Sequence, residues 1–147
     1  MVTAASKYID RLNDVEAGLE NEAYRIIAEI QEIIIDYARE EQLFKKGIDG
    51  KGERLEPYSP YTVALKKIKG EVFNRTTLLD TESFYQEMFI TARAGHFFIS
   101  SSDHKTPMLI EKYGEHIMVL TDDNNKIVNS EHIYPRLIQW MINKLFF

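Results

Sequence analysis

One long period dominates the pattern of apolar and polar positions. Leu12, Val15, Leu19, Ala23, Ile26, Ile30, Ile33 and Tyr37 are spaced by threes and fours, the seven-residue repeat of an amphipathic helix. Glu16, Glu20, Glu22, Arg25, Glu29, Glu32 and Asp36 lie between them as a solvated face. The repeat predicts a helix from near Ala4 to near Phe44, about 60 Å long if unbroken. That length exceeds the width of a compact body of this size. The helix therefore either folds back at Gly18, its weak point, or projects and packs on another chain.

Residues 45–57 break the period. Gly47, Gly50 and Gly52 sit there with little apolar material, which predicts a flexible loop. Ser59-Pro60 then marks a helix start, a capping hydroxyl followed by a proline at the first helical position. This helix runs to about Ile68 and stops at Gly70. From Ser83 to Ser102 the period falls to two, predicting a hairpin that turns at Ala94-Gly95. Both of its faces carry apolar residues, so the sheet is expected to be covered on both sides or joined to a partner. Pro107 to Tyr113 reads as a short helix ended by Gly114, and His116 to Leu120 as a strand or an extended link. Thr121 looks like the cap of a last helix, with Asp122 and Asp123 in its first turn. Tyr134, Leu137, Ile138, Met141, Ile142 and Leu145 form its apolar stripe, and Pro135 should kink it or break it into two pieces. The fold class is α+β: a long N-terminal helix, a short helix, a central antiparallel hairpin and a C-terminal helical segment. Residues 1–147 make one domain, divided into helix 1–44, basic loop 45–57 and α+β body 58–147.

Composition narrows the chemistry. Cysteine is absent from the 147 residues, which excludes disulfides, thiol nucleophiles and cysteine-ligated metals. No apolar run approaches the length of a membrane span, and no charged flank precedes an apolar run at the N-terminus. A soluble intracellular protein without a membrane partner is expected. The net charge is −5, but seven of the 18 basic residues fall between positions 45 and 69. These are Lys45, Lys46, Lys51, Arg54, Lys66, Lys67 and Lys69. The cluster reads as a solvated loop and helix face, or as a surface for DNA or an acidic partner.

Catalytic patterns do not assemble. The glycine loop lacks the spacing of a phosphate-binding loop and no strand precedes it. His96, His104, His116 and His132 show no metal-ligand spacing. Ser100-Ser101-Ser102-Asp103-His104 has the residue types of a triad, but a loop leading into a helix cap accounts for it. Glu40-Glu41 and Asp122-Asp123 read as solvated charge, and Asp80 or Thr81 as the cap of a turn. No cofactor, metal or catalytic set is expected.

Several segments resemble a known family. They are Leu43-Phe44-Lys45-Lys46-Gly47-Ile48-Asp49-Gly50, Tyr58-Ser59-Pro60-Tyr61-Thr62 and Lys66-Lys67-Ile68-Lys69-Gly70. Leu79-Asp80-Thr81-Glu82-Ser83-Phe84-Tyr85 and Leu109-Ile110-Glu111-Lys112-Tyr113-Gly114 complete the set. Together they resemble the minor tail, tail-completion and virion-morphogenesis proteins that form the head–tail neck of tailed bacteriophages. The family's order is a long helix, a glycine-rich basic loop, a Ser-Pro helix, a Leu-Asp-Thr-Gly turn, a hairpin and a closing helix. Where the family has the glycine of that turn, this chain has Glu82, a costly residue if the position needs positive φ.

The resemblance implies a structural subunit without catalytic residues, assembled as a ring on the virion axis. It implies portal, connector or tail-tube proteins as partners, transient contact with genomic DNA, and residence in the virion after synthesis in the bacterial cytoplasm. Leu12, Leu19, Ile26 and Ile33 on the long helix, with Phe89 and Phe97 on the hairpin, are the expected oligomer contacts. The alternative is a small intracellular binding or adaptor protein, such as a toxin-neutralising one, that dimerises through its first helix. An enzyme, such as a small nuclease or hydrolase, is the third reading.

Overall fold

The computed structural model describes residues 3–79 and 82–147; Asp80 and Thr81, read above as a turn cap, lie outside them. The Thr3 hydroxyl accepts from the Ser6 amide and the Ser6 hydroxyl from the Thr3 amide. This reciprocal capping box starts α1 (Ala4–Glu29). The helix passes Gly18 without a break. It is interrupted instead at Ile30, with φ −100° and ψ 14°, and resumes as α2 (Gln31–Asp36). Tyr37–Phe44 then widens into a π-helical segment, in which the Lys45 amide bonds back five residues to the Glu40 carbonyl at 2.9 Å.

Gly18 has a packing role. A Cβ there would lie 3.2 Å from the Trp140 ring. Trp140 belongs to the C-terminal helix α7 (Tyr134–Phe146), which runs antiparallel along the first half of α1. Tyr8 meets Phe146 edge to face, centroids 6.1 Å apart, and Arg11 donates to the Leu145 carbonyl at 2.7 Å. The long helix therefore neither folds back nor projects bare. It shares an arm with α7.

The glycine loop, expected to be flexible, is stitched closed. Asp49 is buried, and its Oδ1 accepts from the Lys51 and Glu53 amides. Ile48 bridges Arg54, and the Gly50 amide donates to the His116 carbonyl at 2.8 Å. A Cβ at Gly50 would come within 2.5 Å of the Val119 carbonyl, so only glycine allows this approach. Ser59 caps α3 (Pro60–Lys69) by accepting from the Thr62 amide, and Gly70 ends it as expected. Beyond it, Thr76 and Thr77 are buried. The Thr76 hydroxyl donates to the Glu56 carbonyl, and the Thr77 amide donates to the Tyr58 hydroxyl.

Ser83–Gln86, expected as the start of a strand, is a helical turn, α4. Adjacent Phe84 and Tyr85 are both buried, as neighbouring positions of a helical turn can be. The turn is entered through Glu82 at φ 66°. Strands β1 (Met88–Arg93) and β2 (His96–Ser101) pair antiparallel. Ala94 and Gly95 both have positive φ, 51° and 74°, as a two-residue type I′ turn requires. The Tyr24 hydroxyl accepts from the Gly95 amide at 2.7 Å and ties that turn to α1.

Next come α5 (Thr106–Tyr113) and a 3₁₀ turn, Glu115–Met118, where a strand or link was expected. Thr121 caps α6 (Asp122–Ile127), as its position predicts. Val128–Ile133 is a second π-helical segment before α7. Pro135 sits in the first turn of α7, where its missing amide costs little. The helical run is continuous from α6 through the π-helical segment into α7, so Pro135 does not break it in two.

The chain is α+β, as expected. Its core begins at Ile26 and gathers Ile30, Ile34, Ile35, Ala38 and Leu43 from the first helical run. Met88 and Ile99 join from the hairpin, with Ile117, Val128 and Ile133 from the C-terminal half. Gln42 is buried among them at 1% exposure. Its Nε2 donates to the Val119 carbonyl at 3.0 Å, and its Oε1 accepts from the Thr121 amide and the Asn124 side chain, both at 2.8 Å. Among the described residues, no helix is long and apolar enough to cross a membrane.

Candidate interaction surfaces

The basic cluster divides on folding. Lys45, Lys46, Lys51, Arg54, Lys67 and Lys69 are exposed, whereas Lys66 is buried. The Lys66 ammonium lies 3.2 Å from Glu71 and 4.7 Å from the centre of the Tyr58 ring. It is part of the α3 support and is withdrawn from any surface. Lys45 pairs with Glu41 at 2.6 Å, which raises its pKa above the usual lysine range. Lys67 lies over the Phe73 ring at 4.9 Å. The amides of the glycine loop are spent on Asp49, His116 and the loop itself, so the loop does not form a phosphate cradle.

Helix α3 is inside out. Lys66 is its one buried residue, while Tyr61, Leu65 and Ile68 are 74%, 38% and 84% exposed. These three stand four and three residues apart, on one face. Helix α3 thus turns an apolar face to solvent while it buries a lysine. The sequence reading located this helix but missed its face. The signal was the 61, 65, 68 spacing, which runs against the buried position 66.

The arm carries a second such face. Tyr134, Ile138, Ile142 and Phe146 recur every four residues on α7, and all are exposed. Tyr8, Ile9 and Leu12 are exposed on α1 beside them. Of the oligomer contacts expected on the long helix, Leu12 is available and Leu19 is half-buried. Ile26 is fully enclosed by the protein's own core, and Ile33 packs against that core. Ile26 is thereby corrected from an intermolecular to an intramolecular contact, while Ile33 keeps a partly exposed side chain. The heptad stripe is continuous, but its covering changes from α7 and solvent to the hairpin and core near Ile26.

The hairpin has one covered face, not two. The register places Met88, Ile90, Ala92, Phe97, Ile99 and Ser101 together on one side, and Phe97 packs on the core. Phe97 is half-buried there and lines an open cleft. The other side exposes Phe89 and Phe98 at 41% and 43%, with Arg93 lying 4.7 Å over the Phe98 ring.

The triad-like residues separate. The Ser101 hydroxyl donates to the Phe84 carbonyl at 2.9 Å, and that of Ser102 to Glu87 at 3.1 Å. Asp103 is buried and touches the exposed His104 at 3.2 Å. Asp103 Oδ2 and Thr106 Oγ1 are buried without a hydrogen-bond partner. Asp103 lies in the loop that enters α5, and Thr106 is the first residue of that helix. His96 and His116 line an open cleft of about 690 Å³ between β2 and the C-terminal helices. Among the described residues, no three histidines or carboxylates converge to hold a metal ion. Comparison with family models, curated proteins and solved structures finds no match to this chain.

Proposed function

We propose that this chain is a structural subunit of the head–tail neck or tail of a tailed bacteriophage, assembling as a ring with neighbouring neck proteins. The observation that carries the reading is the order of elements along the chain. A long capped helix, a glycine-rich basic loop and a Ser-Pro helix come first, then a positive-φ turn, a hairpin and closing helices. That order, with the short motifs from Leu43 to Tyr113, is the layout the resemblance describes. Two separate apolar faces, on α3 and on the arm, support it further. A subunit in a ring needs two different contact surfaces, because head-to-tail contacts are heterologous.

In this reading the protein performs no catalysis. Its partners are copies of itself and portal, connector or tail-tube proteins, and its place is the virion. The six exposed residues of the basic cluster meet acidic surface during assembly, either genomic DNA or a neighbouring subunit.

The test is to delete the gene from a genome that encodes the chain, and to search purified particles by mass spectrometry. The expected result is a stoichiometric virion component whose loss leaves filled heads without attached tails. Normal particles from the deletion, or absence of the chain from particles, overturn the proposal. A monodisperse dimer absent from virions would instead support an adaptor that pairs through the first helix.

A further inference from the structure

We infer that the outer edge of β2 takes an extended segment of a different protein as a third strand. Such docking is independent of the virion reading, which survives if no strand binds. The hairpin is a two-stranded sheet, so each strand keeps one edge that the other does not pair. The register fixes which groups β2 turns outward. The Ser102 amide donates to the Glu87 carbonyl at 3.1 Å, one step beyond the Met88–Ser101 pair. Backbone groups alternate sides along a strand, so His96, Phe98 and Ser100 also turn theirs to β1. Those of Phe97 and Ile99 turn away. Among the described residues, the amides and carbonyls of these two have no hydrogen-bond partner. Ile99 is nonetheless buried, and backbone groups enclosed in a folded protein are almost always paired.

This edge borders the cleft of about 690 Å³, which five consecutive residues, Gly95 to Ile99, line. One face of a strand shows only every second residue, so an unbroken run marks the edge. Its length suits a strand of about five residues, at about 3.4 Å each. The backbone of the added strand pairs with Phe97 and Ile99. Its side chains beside those two meet Met118, Leu120, Ile133 and Leu137, which also line the cleft. The side chains between follow exposed His96 and Phe98 outward. The occupant therefore alternates apolar and polar residues. A second copy's β2 would bring β1 behind it, toward the helical wall of Asn129, Ile133 and Leu137 across the cleft. A lone segment fits better than a hairpin. The chain's own non-helical stretches are tied down, residues 45–58 through Asp49 and 71–79 through Arg75, Thr76 and Thr77.

The experiment is amide hydrogen exchange by NMR on the full chain, alone and with synthetic eight-residue peptides. In these peptides valine alternates with serine or lysine; a control set has the same composition at helical spacing. Alone, the Phe98 and Ser100 amides should exchange slowly and those of Phe97 and Ile99 fast. Alternating peptide at saturation should slow Phe97 and Ile99 by about tenfold or more. N-methylation of every second peptide amide should abolish the effect in one phase and spare it in the other. Asn129→Trp, which fills the cleft from its helical wall, should abolish binding while Phe98 and Ser100 stay slow. Should that variant not fold, the two methylated phases decide alone. Slow Phe97 and Ile99 amides in the free monomer show an edge already covered and overturn the inference. So do amides that slow only where light scattering finds a dimer, which makes a second copy the occupant. No slowing at millimolar peptide, equal binding by the control set, or equal effects of the two methylated phases also overturn it.

Discussion

Gln42 shows how one side chain can hold distant parts of a chain together. It follows Glu40-Glu41, which read as solvated charge, yet its amide satisfies Val119, Thr121 and Asn124 at once. Gln42→Leu keeps the volume and strands the Val119 carbonyl and the Thr121 amide, at a cost of about 2–4 kcal/mol. Thermal denaturation should show a fall of about 2–4 °C for each kcal/mol lost. Glu82 is the opposite case, a residue the backbone does not suit. At φ 66° its Cβ costs about 1–2 kcal/mol, part of which glycine returns through its freer unfolded chain. Glu82→Gly should therefore stabilise the protein by about 0.5–1 kcal/mol, measured by urea denaturation. The sequence flagged position 82 because a turn glycine was missing there. Nothing local flagged Gln42, whose partners lie nearly eighty residues away and are set by tertiary packing.

Elements were legible where their signals were local. The Ser59 cap, the Ala94-Gly95 turn, the Gly114 stop and the Thr121 cap each depend on residues within one turn, and each is found where expected. The α4 turn was misread because Phe84, Met88 and Ile90 fall on alternate positions, a spacing that a helical turn followed by a strand also produces. What distinguishes them is that Tyr85 is drawn inward to donate its hydroxyl proton to the Thr77 carbonyl. Burial, with the charge of Glu40 adding to it, pushes the Tyr85 phenol well above the ordinary tyrosine value. The folded state thus keeps a proton that the unfolded chain loses near pH 10, so stability falls as pH rises beyond about 10. Tyr85→Phe removes this titration. At neutral pH it should cost about 1 kcal/mol for the lost hydrogen bond. Above about pH 10 its stability should decline less steeply than that of the wild type. Parallel stability curves for the two proteins would show that Tyr85 does not titrate on unfolding.

At the scale of the whole molecule, the heptad stripe announced a long apolar face but not what would cover it. Coverage depends on where α7 ends up, and α7 is placed by Trp140 seated on Gly18 and by Arg11 reaching the Leu145 carbonyl. Charge behaves in the same way: the basic cluster is visible as composition, but only folding turns Lys66 inward and leaves the others outside. The seat at Gly18 has an optical consequence. The chain has a single tryptophan, and it lies in the arm rather than in the core. Its emission therefore reports on the arm alone, while far-UV dichroism reports on all the helices. If the arm detaches before the core melts, the emission should shift to the red at a lower temperature than the loss of dichroism.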